Sequence, residues 1–115
     1  MKLVEHYDFG TIVIGGRRYF RDLIVTPTRI IENWWRREGH RVCLEDIRDL
    51  LSEDIEYLVI GTGYSGLVEV DEEVVEEFNK RGVKVVIKPS REAIEEYNRL
   101  VRDGKKVALA IHLTC

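Results

Sequence analysis

Side-chain amides are almost absent from this sequence. Its 115 residues contain no glutamine and three asparagines, whereas charged residues make up 34% of the chain. A high content of Glu, Lys and Arg with few heat-labile amides is the compositional trend of proteins from hot environments. Since hydrophobic residues reach 44%, the composition also excludes a disordered or collagen-like chain and predicts one globular domain over residues 1–115.

Cysteine is scarce as well. Cys43 and Cys115 are the only two, which is too few for a disulfide framework and fits a reducing compartment. Each stands three residues after a histidine, His40 and His112, so the two H-x-x-C pairs nominally offer four zinc ligands. Residues three apart on a strand point to opposite faces, and we therefore expect no metal site and no cofactor.

Long apolar runs are missing. No window approaches the roughly 18 uncharged apolar residues of a membrane-spanning helix. The first ten residues, MKLVEHYDFG, carry charges where a signal peptide needs its apolar segment. We therefore expect a cytoplasmic protein that does not bind membranes.

An overall excess of positive charge is also absent, since the formal net charge is −3. We therefore expect no specific binding to nucleic acid. The charge is nevertheless uneven, because residues 1–43 carry 8 Lys and Arg against 5 Asp and Glu, whereas residues 44–115 carry 10 against 16. Seven of the eight basic residues in the first part are arginines, which pair with carboxylates or phosphates and stack on aromatic rings.

One arginine-rich segment contains both tryptophans of the chain. Exposed tryptophan and arginine are common anchors of protein interfaces, so we predict that residues 29–41 contact a protein partner. The predicted partner surface consists of Arg29, Trp34, Trp35, Arg36 and Arg37. The alternative is a solvated face held by planar ion pairs. The function predicted on this basis is a binding or scaffolding module rather than a self-sufficient enzyme, because no nucleophile–base pair or carboxylate dyad stands out.

The first third of the chain has a β pattern. Thr11–Ile14 is a β-branched run that predicts a strand, and Gly15-Gly16 suits a tight hairpin turn. Arg17–Phe20 is then the second strand of the hairpin. Another apolar run covers residues 22–26. The stretch from Ile30 to Trp35 fits either a strand or a helical turn. This part of the chain predicts an amino-terminal β-meander.

From residue 44 onward, helical and strand patterns alternate. The predicted helices cover residues 44–53, 71–81 and 90–103, and the predicted strands cover 57–61, 83–88 and 107–113. Such alternation predicts an α/β fold with a short parallel core and right-handed crossovers. The apolar strand 107–113 should be central and the lysine-bearing strand 83–88 should lie at an edge. In the resulting order, 83–88, 57–61, 107–113, the winding direction reverses at strand 57–61.

A ligand crevice is expected where the winding reverses, beyond the carboxyl ends of the strands. Gly61 to Gly66 reads G-x-G-x-x-G, but the extended stretch Leu67–Val70 separates it from the next helix, so it does not predict a dinucleotide site. The alternative function, a small-molecule enzyme or an anion-binding protein, would use this crevice, with His112 as proton carrier or hydrogen-bond donor. The other interpretation of His112 is a structural histidine bonded to a loop carbonyl. The candidate pocket residues are Gly61, Thr62, Gly63, Tyr64, Lys88, Ser90, His112 and Thr114.

Several of these features together resemble one family. They are Tyr7, Phe9-Gly10, Gly16, Tyr19, Trp35, His40, the run Leu58–Gly63, Tyr97-Asn98 and the run Ala110–Cys115. The sequence is similar in these positions to a family first classed as a domain of unknown function, found in archaea and bacteria. Its eukaryotic members include a mitochondrial complex I assembly factor and an adipogenesis-associated protein. The resemblance implies a compact three-layer β/β/α domain and no established catalytic residues.

Overall fold

A computed structural model describes residues 2–115. In this part of the chain the strands are β1 (Val4–Asp8), β2 (Thr11–Ile14), β3 (Arg17–Tyr19), β4 (Leu23–Val25), β5 (Ile30–Ile31), β6 (Arg41–Val42), β7 (Tyr57–Gly61), β8 (Glu69–Val70), β9 (Lys84–Lys88) and β10 (Val107–Ile111). The helices are α1 (Glu72–Lys80) and α2 (Ser90–Arg102), and a 3₁₀ segment spans Leu44–Ser52.

The main sheet has five strands in the order β5-β4-β10-β7-β9. Strand β7 pairs in parallel with both β10 and β9, whereas β4 pairs with β10 and β5 in antiparallel fashion. The apolar strand β10 is central and β9 forms an edge, which confirms the order predicted for the three parallel strands. The predicted α/β class is therefore also confirmed.

The two faces of β10 belong to two different hydrophobic clusters. Val107, Leu109 and Ile111 pack with residues of β1, β2 and α2, whereas Ala108 and Ala110 pack with residues of α1 and the 3₁₀ segment. Helices α1 and α2 thus cover opposite faces of the sheet. The connection β7-α1-β9 runs toward one edge of the sheet, and the connection β9-α2-β10 runs back past β7 in the other direction. Because both crossovers have the same hand, their helices lie on opposite faces of the sheet. The result is three layers with the mixed sheet in the middle.

The meander β1-β2-β3 forms the layer that shares a face with α2. Gly15 and Gly16 connect β2 to β3 with φ angles of 56° and 82°, the positive values that a two-residue hairpin turn of the predicted kind requires. Strand β1 was not predicted from the sequence, since its alternation is interrupted by an irregularity in its pairing with β2 between Val4 and His6.

Two predicted elements differ from the structure. The helix expected over residues 44–53 is a 3₁₀ segment, interrupted by non-helical angles at Ile47. Its apolar residues Leu44, Ile47 and Leu50 recur at intervals of three, the period of a 3₁₀ rather than an α-helix. Of the strand or helical turn that fits residues 30–35, only a two-residue strand forms, at Ile30–Ile31, and Asn33 then adopts a φ of 54° and turns the chain. Within residues 2–115, no helix has the length and apolar character needed to cross a bilayer.

Candidate functional site

Several chain segments meet at the carboxyl ends of β7 and β10. Leu23, at the start of β4, pairs with Ile111, so the residues just before it also lie at this end. The amide of Gly10 donates to the carbonyl of Leu113 at 2.9 Å, and the amide of Tyr64 donates to the carbonyl of Thr114 at 3.2 Å. The β1–β2 turn, the β3–β4 connection, the glycine loop after β7 and residues 112–115 therefore surround one end of the sheet.

The structure brings the core of the predicted pocket together as a hydrogen-bonded cluster. The hydroxyl of Ser90 donates to the carbonyl of His112 at 2.5 Å and accepts from the amide of Gly63 at 2.9 Å. His112 is 1% exposed, and its Nδ1 lies 2.8 Å from the carbonyl oxygen of Gly61. Since a carbonyl only accepts, Nδ1 carries the proton and Nε2 carries the lone pair. The interpretation of His112 as a structural histidine matches this contact.

The glycines of the loop permit close contact between chain segments. A Cβ atom on Gly61 would lie 2.9 Å from the side chains of both Ile111 and Ser90, and one on Gly63 would lie 2.5 Å from the carbonyl oxygen of Thr114. Gly63 also has a φ of 107°, which only glycine adopts without strain. The G-x-G-x-x-G motif therefore packs the loop against β10 and α2. Helix α1 begins only at Glu72, outside the motif, as the sequence analysis expected.

Backbone amides of three candidate pocket residues are engaged within the protein. The amide of Gly63 bonds to Ser90, the amide of Ser90 donates to the carbonyl of Gly63 at 2.9 Å, and the amide of Thr62 donates to the carbonyl of Lys88 at 3.0 Å. The side chains of Tyr64, Lys88 and Thr114 are exposed. The predicted residues thus form a closed cluster with exposed margins. An open anion pocket would need a conformation in which these bonds are broken.

The imidazole of His112 lies in an apolar and cationic environment. Its ring packs edge-to-face against Trp34, with centroids 5.0 Å apart, and its Nε2 is buried without a hydrogen-bond partner. Burial, with the nearby charge of Arg36 as a second cause, lowers the pKa of His112 to about 4. The side chain is therefore neutral at pH 7, and its free lone pair points into protein rather than into solvent.

We expect this histidine to make the protein less stable as the pH falls from 6.5 to 4. The unfolded chain binds the proton with the ordinary pKa of 6.5, whereas the folded chain binds it only near pH 4. Protons are then taken up on unfolding, which removes up to about 3 kcal/mol from the free energy of unfolding across this range. Urea titrations between pH 7 and pH 4.5 measure the effect. His112→Asn should flatten the dependence, and an unchanged slope in that variant would assign it to other groups.

The tryptophan–arginine segment divides into a buried and an exposed part. Trp34 is only 7% exposed, and its indole Nε1 donates to the carbonyl of Asp46 at 2.9 Å. Arg36 lies over the Trp34 ring, 4.9 Å from its centroid, and pairs with the carboxylate of Asp22 at 2.8 Å. Trp34 is therefore not part of an exposed surface, which corrects the sequence-based expectation, and the Arg36 guanidinium is mostly covered. Asn33, which has a φ of 54°, turns the chain immediately before Trp34.

Asp22 connects this segment to the end of β10. One carboxylate oxygen accepts from the amide of Leu113 at 2.7 Å, and the other accepts from Arg36. The main-chain carbonyl of Asp22 also accepts from the amide of Trp34 at 2.8 Å. The two predicted sites, the glycine-loop cluster and the tryptophan–arginine segment, are thus continuous through Asp22, Trp34 and His112.

The other predicted surface residues lie at two different ends of the molecule. Trp35 is 78% exposed and Arg37 is exposed beside it, both at the carboxyl end of the sheet. Arg29 belongs to the turn between β4 and β5 at the opposite end, where it pairs with Glu53 at 3.7 Å. Arg29 therefore does not belong to the same surface as Trp35.

The structure adds aromatic and arginine residues that the sequence analysis missed. Phe9 packs edge-to-face on Tyr64 with centroids 5.5 Å apart, and Arg91 lies over the Tyr64 ring at 5.7 Å. Of the six large hydrophobic side chains exposed in residues 2–115, four are aromatics at this end of the sheet. We call this surface the aromatic end face; it consists of Phe9, Phe20, Trp35 and Tyr64 with Arg21, Arg37 and Arg91. Phenylalanines at or beside turns, such as Phe9 before Gly10, were the sequence signal that could have found it.

Metal-binding residues do not converge in the described part of the chain. Among residues 2–115, no group of three or more His, Cys, Asp or Glu side chains is placed to hold a metal ion. Cys43 and Cys115 are free and half-buried. Burial raises the pKa of the Cys43 thiol, which donates to the carboxylate of Asp46 at 3.3 Å. Its thiolate, the form that binds metals or attacks carbonyls, is therefore disfavoured.

Comparison with known proteins gives a family match along nearly the whole chain. Residues 4–112 match the family described as "Protein of unknown function (DUF498/DUF598)". The chain belongs to this family. The DUF498/DUF598 assignment agrees with the family resemblance in the sequence at the level of a domain of unknown function.

Solved structures give the same result for the fold of this DUF498/DUF598 protein. A conserved hypothetical protein from Pyrococcus horikoshii OT3 is 27% identical, with a TM-score of 0.85 over 97% of this chain and 98% of the other. The protein MT938 is 26% identical, with a TM-score of 0.83 over the whole of both chains. A Bordetella pertussis protein described as a Mth938-like domain is 17% identical, with a TM-score of 0.71 over 97% of this chain and 85% of the other. This last likeness concerns the fold alone.

Proposed function

We propose that this DUF498/DUF598 protein is a protein-binding module and that the aromatic end face contacts its partner. The observation that carries the proposal is that Phe9, Phe20, Trp35 and Tyr64, the four large aromatic side chains that are exposed in residues 2–115, lie at one end of the sheet. Exposed apolar patches rimmed by polar groups mark interaction sites. Tyr, Trp and Arg are the residue types most enriched among interface hot spots.

The arginines of this face favour an acidic partner. Arg91 lies over the Tyr64 ring, and Arg21 lines the grooves beside Phe20 and Trp35. Arg37 is exposed two residues after Trp35, and the amino-terminal part of the chain has an excess of three positive charges. Such charges speed up the encounter with an acidic surface and suppress cationic partners. Residues 44–115 carry an excess of six negative charges, which disfavours polyanions as large as nucleic acid. A protein partner is therefore proposed rather than nucleic acid.

The packing beneath the face supports a binding role rather than a catalytic one. The closed cluster of Gly63, Ser90 and His112 holds the loop that carries Tyr64, and the Asp22–Arg36 pair holds the segment that carries Trp35. A surface fixed in advance loses little conformational entropy on binding. The resemblance to a family with a eukaryotic complex I assembly factor suggests a related role for this chain, helping other proteins to assemble.

A photo-crosslinking experiment tests the proposal. The photoreactive residue p-benzoylphenylalanine, placed at Trp35 or Phe20, should give one or a few defined partner adducts in cells of the source organism. The same residue at Arg102, at the opposite end of the sheet, should give none of these adducts. Trp35→Ala should weaken capture of the crosslinked partner at least tenfold with an unchanged melting temperature, because its ring is exposed and supports no core contact. Equal adducts at Arg102, or only adducts between copies of this chain, would contradict the proposal.

A further inference from the structure

A groove runs between the meander and the main sheet, next to the aromatic end face. One wall is formed by β3 and Phe20, the other by Glu32 and Asn33, with Leu23 at the base, and the groove measures about 390 Å³. It continues past Arg21 and Asn33 toward Trp35, since these two residues also line the neighbouring groove beside Trp34 and Trp35.

The β3 wall of this groove is an open sheet edge. In the described residues β3 pairs with β2 on one side only. Ile14 and Arg17 flank the two-residue turn at Gly15-Gly16 and oppose each other, which makes them the hydrogen-bonded pair that closes such a hairpin. Arg18, opposite Val13, then belongs to the non-hydrogen-bonded position. Its amide and carbonyl therefore point away from β2, toward the open edge.

We propose that this edge accepts an extended acidic segment of the partner, which adds to β3 as a further strand. The inference rests on the proposed function, since it names the partner segment that the aromatic end face and the adjoining groove would bind. Peptides that add to a sheet edge gain affinity from main-chain hydrogen bonds and specificity from alternate side chains.

The charges along the groove select an acidic occupant. Arg17, Arg18 and Arg21 line it, and Arg17 already pairs across it with the carboxylate of Glu32 at 3.7 Å. Glu32 is the only acidic residue among the lining residues, so further carboxylates would find arginine partners. Phe20, 68% exposed beside them, offers an apolar contact for an alternating side chain.

The same charges disfavour a second copy of this chain. If two β3 edges paired, Arg17 and Arg18 of one copy would face the same arginines of the other, and like charges placed opposite each other on neighbouring strands are destabilising. Charged residues on an exposed edge are a common protection against self-association. An acidic strand from another protein avoids this repulsion.

A synthetic peptide provides the test with the whole chain. The probe is a fluorescein-labelled (Glu-Val)4 peptide with blocked ends, and its affinity is measured by fluorescence anisotropy at low ionic strength. Successive amides of a strand point to opposite sides, so either all the Glu amides or all the Val amides would face β3. Of two analogues, N-methylated at every Glu or at every Val, one should bind at least tenfold more weakly than the parent. The other should keep its affinity within about threefold.

Protein variants give a second, independent measurement. Arg18→Pro removes the amide that faces the edge and should weaken binding at least tenfold more than Arg18→Ala, which removes only the charge. Circular dichroism and the melting temperature establish that both variants are folded, and the N-methylated peptides test the inference even if Arg18→Pro is not.

The possible results separate the two proposals. Equal binding of both analogues and the parent would show a purely ionic contact and overturn strand addition. Strand addition would also be overturned if the parent peptide does not bind, or if the protein forms dimers through β3. Tighter binding of an oligothymidylate than of the peptide would also overturn it. In each of these cases, partner adducts at Trp35 would still support the proposed function. If strand addition is observed but those adducts are absent, the aromatic end face is not the partner surface, and the inference about β3 is retained.

Discussion

Replacing Gly63 by alanine should lower the free energy of unfolding by roughly 3–5 kcal/mol. The new Cβ would lie 2.5 Å from the carbonyl oxygen of Thr114 and 3.1 Å from atoms of Cys115, at a φ of 107°. Two of the three nearest atoms belong to the backbone of Thr114 and Cys115, which cannot yield as the end of a flexible side chain would. The substitution therefore combines backbone strain with displacement of the segment after β10. Urea unfolding followed by circular dichroism measures the change.

Gly104 is the matched control for this substitution. Its φ is 80°, but a Cβ there would have no atom within 4 Å. Gly104→Ala should therefore cost about 1–2 kcal/mol from backbone strain alone. The difference between the two variants isolates the steric contribution of the loop packing. If both variants lose the same free energy, the loop does not press against residues 114–115 in the way described.

The second large effect is expected at Asp22. Asp22→Ala should destabilise the protein by about 3 kcal/mol, because it leaves the Arg36 guanidinium mostly buried without its carboxylate. The side chains of Arg36 and Asp22 are only 10% and 19% exposed. The variant also removes the acceptor of the Leu113 amide. Since Arg36 lies over Trp34, the near-ultraviolet circular dichroism of the tryptophans should change as well.

Two further variants define the origin of the effect. Asp22→Asn keeps an oxygen acceptor for the Leu113 amide but lacks the charge, and should cost about half as much. Asp54 pairs with Lys106 at 2.7 Å while remaining 86% exposed, so Asp54→Ala should leave the stability nearly unchanged, as is usual for exposed ion pairs. A loss at Asp54 equal to that at Asp22 would show that burial of the pair is not what matters.

The sequence was sufficient to predict most of the secondary structure in the second half of the chain. The α-helices, the parallel strands and their order follow from a period of 3.6 in the helices, continuous apolar runs in the strands and the lysines of the edge strand β9. These signals are local, since each depends on residues close together in the chain. The error at residues 44–52 is local as well. Leu44, Ile47 and Leu50 are spaced by three residues, the period of the 3₁₀ helix that forms there and not of an α-helix.

The candidate site could be located but not described from the sequence. The prediction placed it at the carboxyl ends of the parallel strands, and the residues predicted around Gly61 and His112 do meet there. Whether that crevice was open depended on how closely β10, α2 and the loop approach each other. This approach is set by contacts such as Ser90 with His112, which are 22 residues apart in the chain.

By itself, the sequence determined the fold class and the order of the three parallel strands, and it predicted a candidate site at the carboxyl ends of these strands, because hydrophobic period and connection handedness can be read from the chain alone. Only the tertiary structure decided which side chains are accessible there. Trp34 and Trp35 are neighbours of identical type, yet one is 7% and the other 78% exposed, because the Trp34 ring packs against His112 and donates to the carbonyl of Asp46, residues that are distant in the chain. The exposed aromatics Phe9, Phe20 and Tyr64 come from distant segments that pairing with β10 and its carboxyl-terminal residues brings to one face.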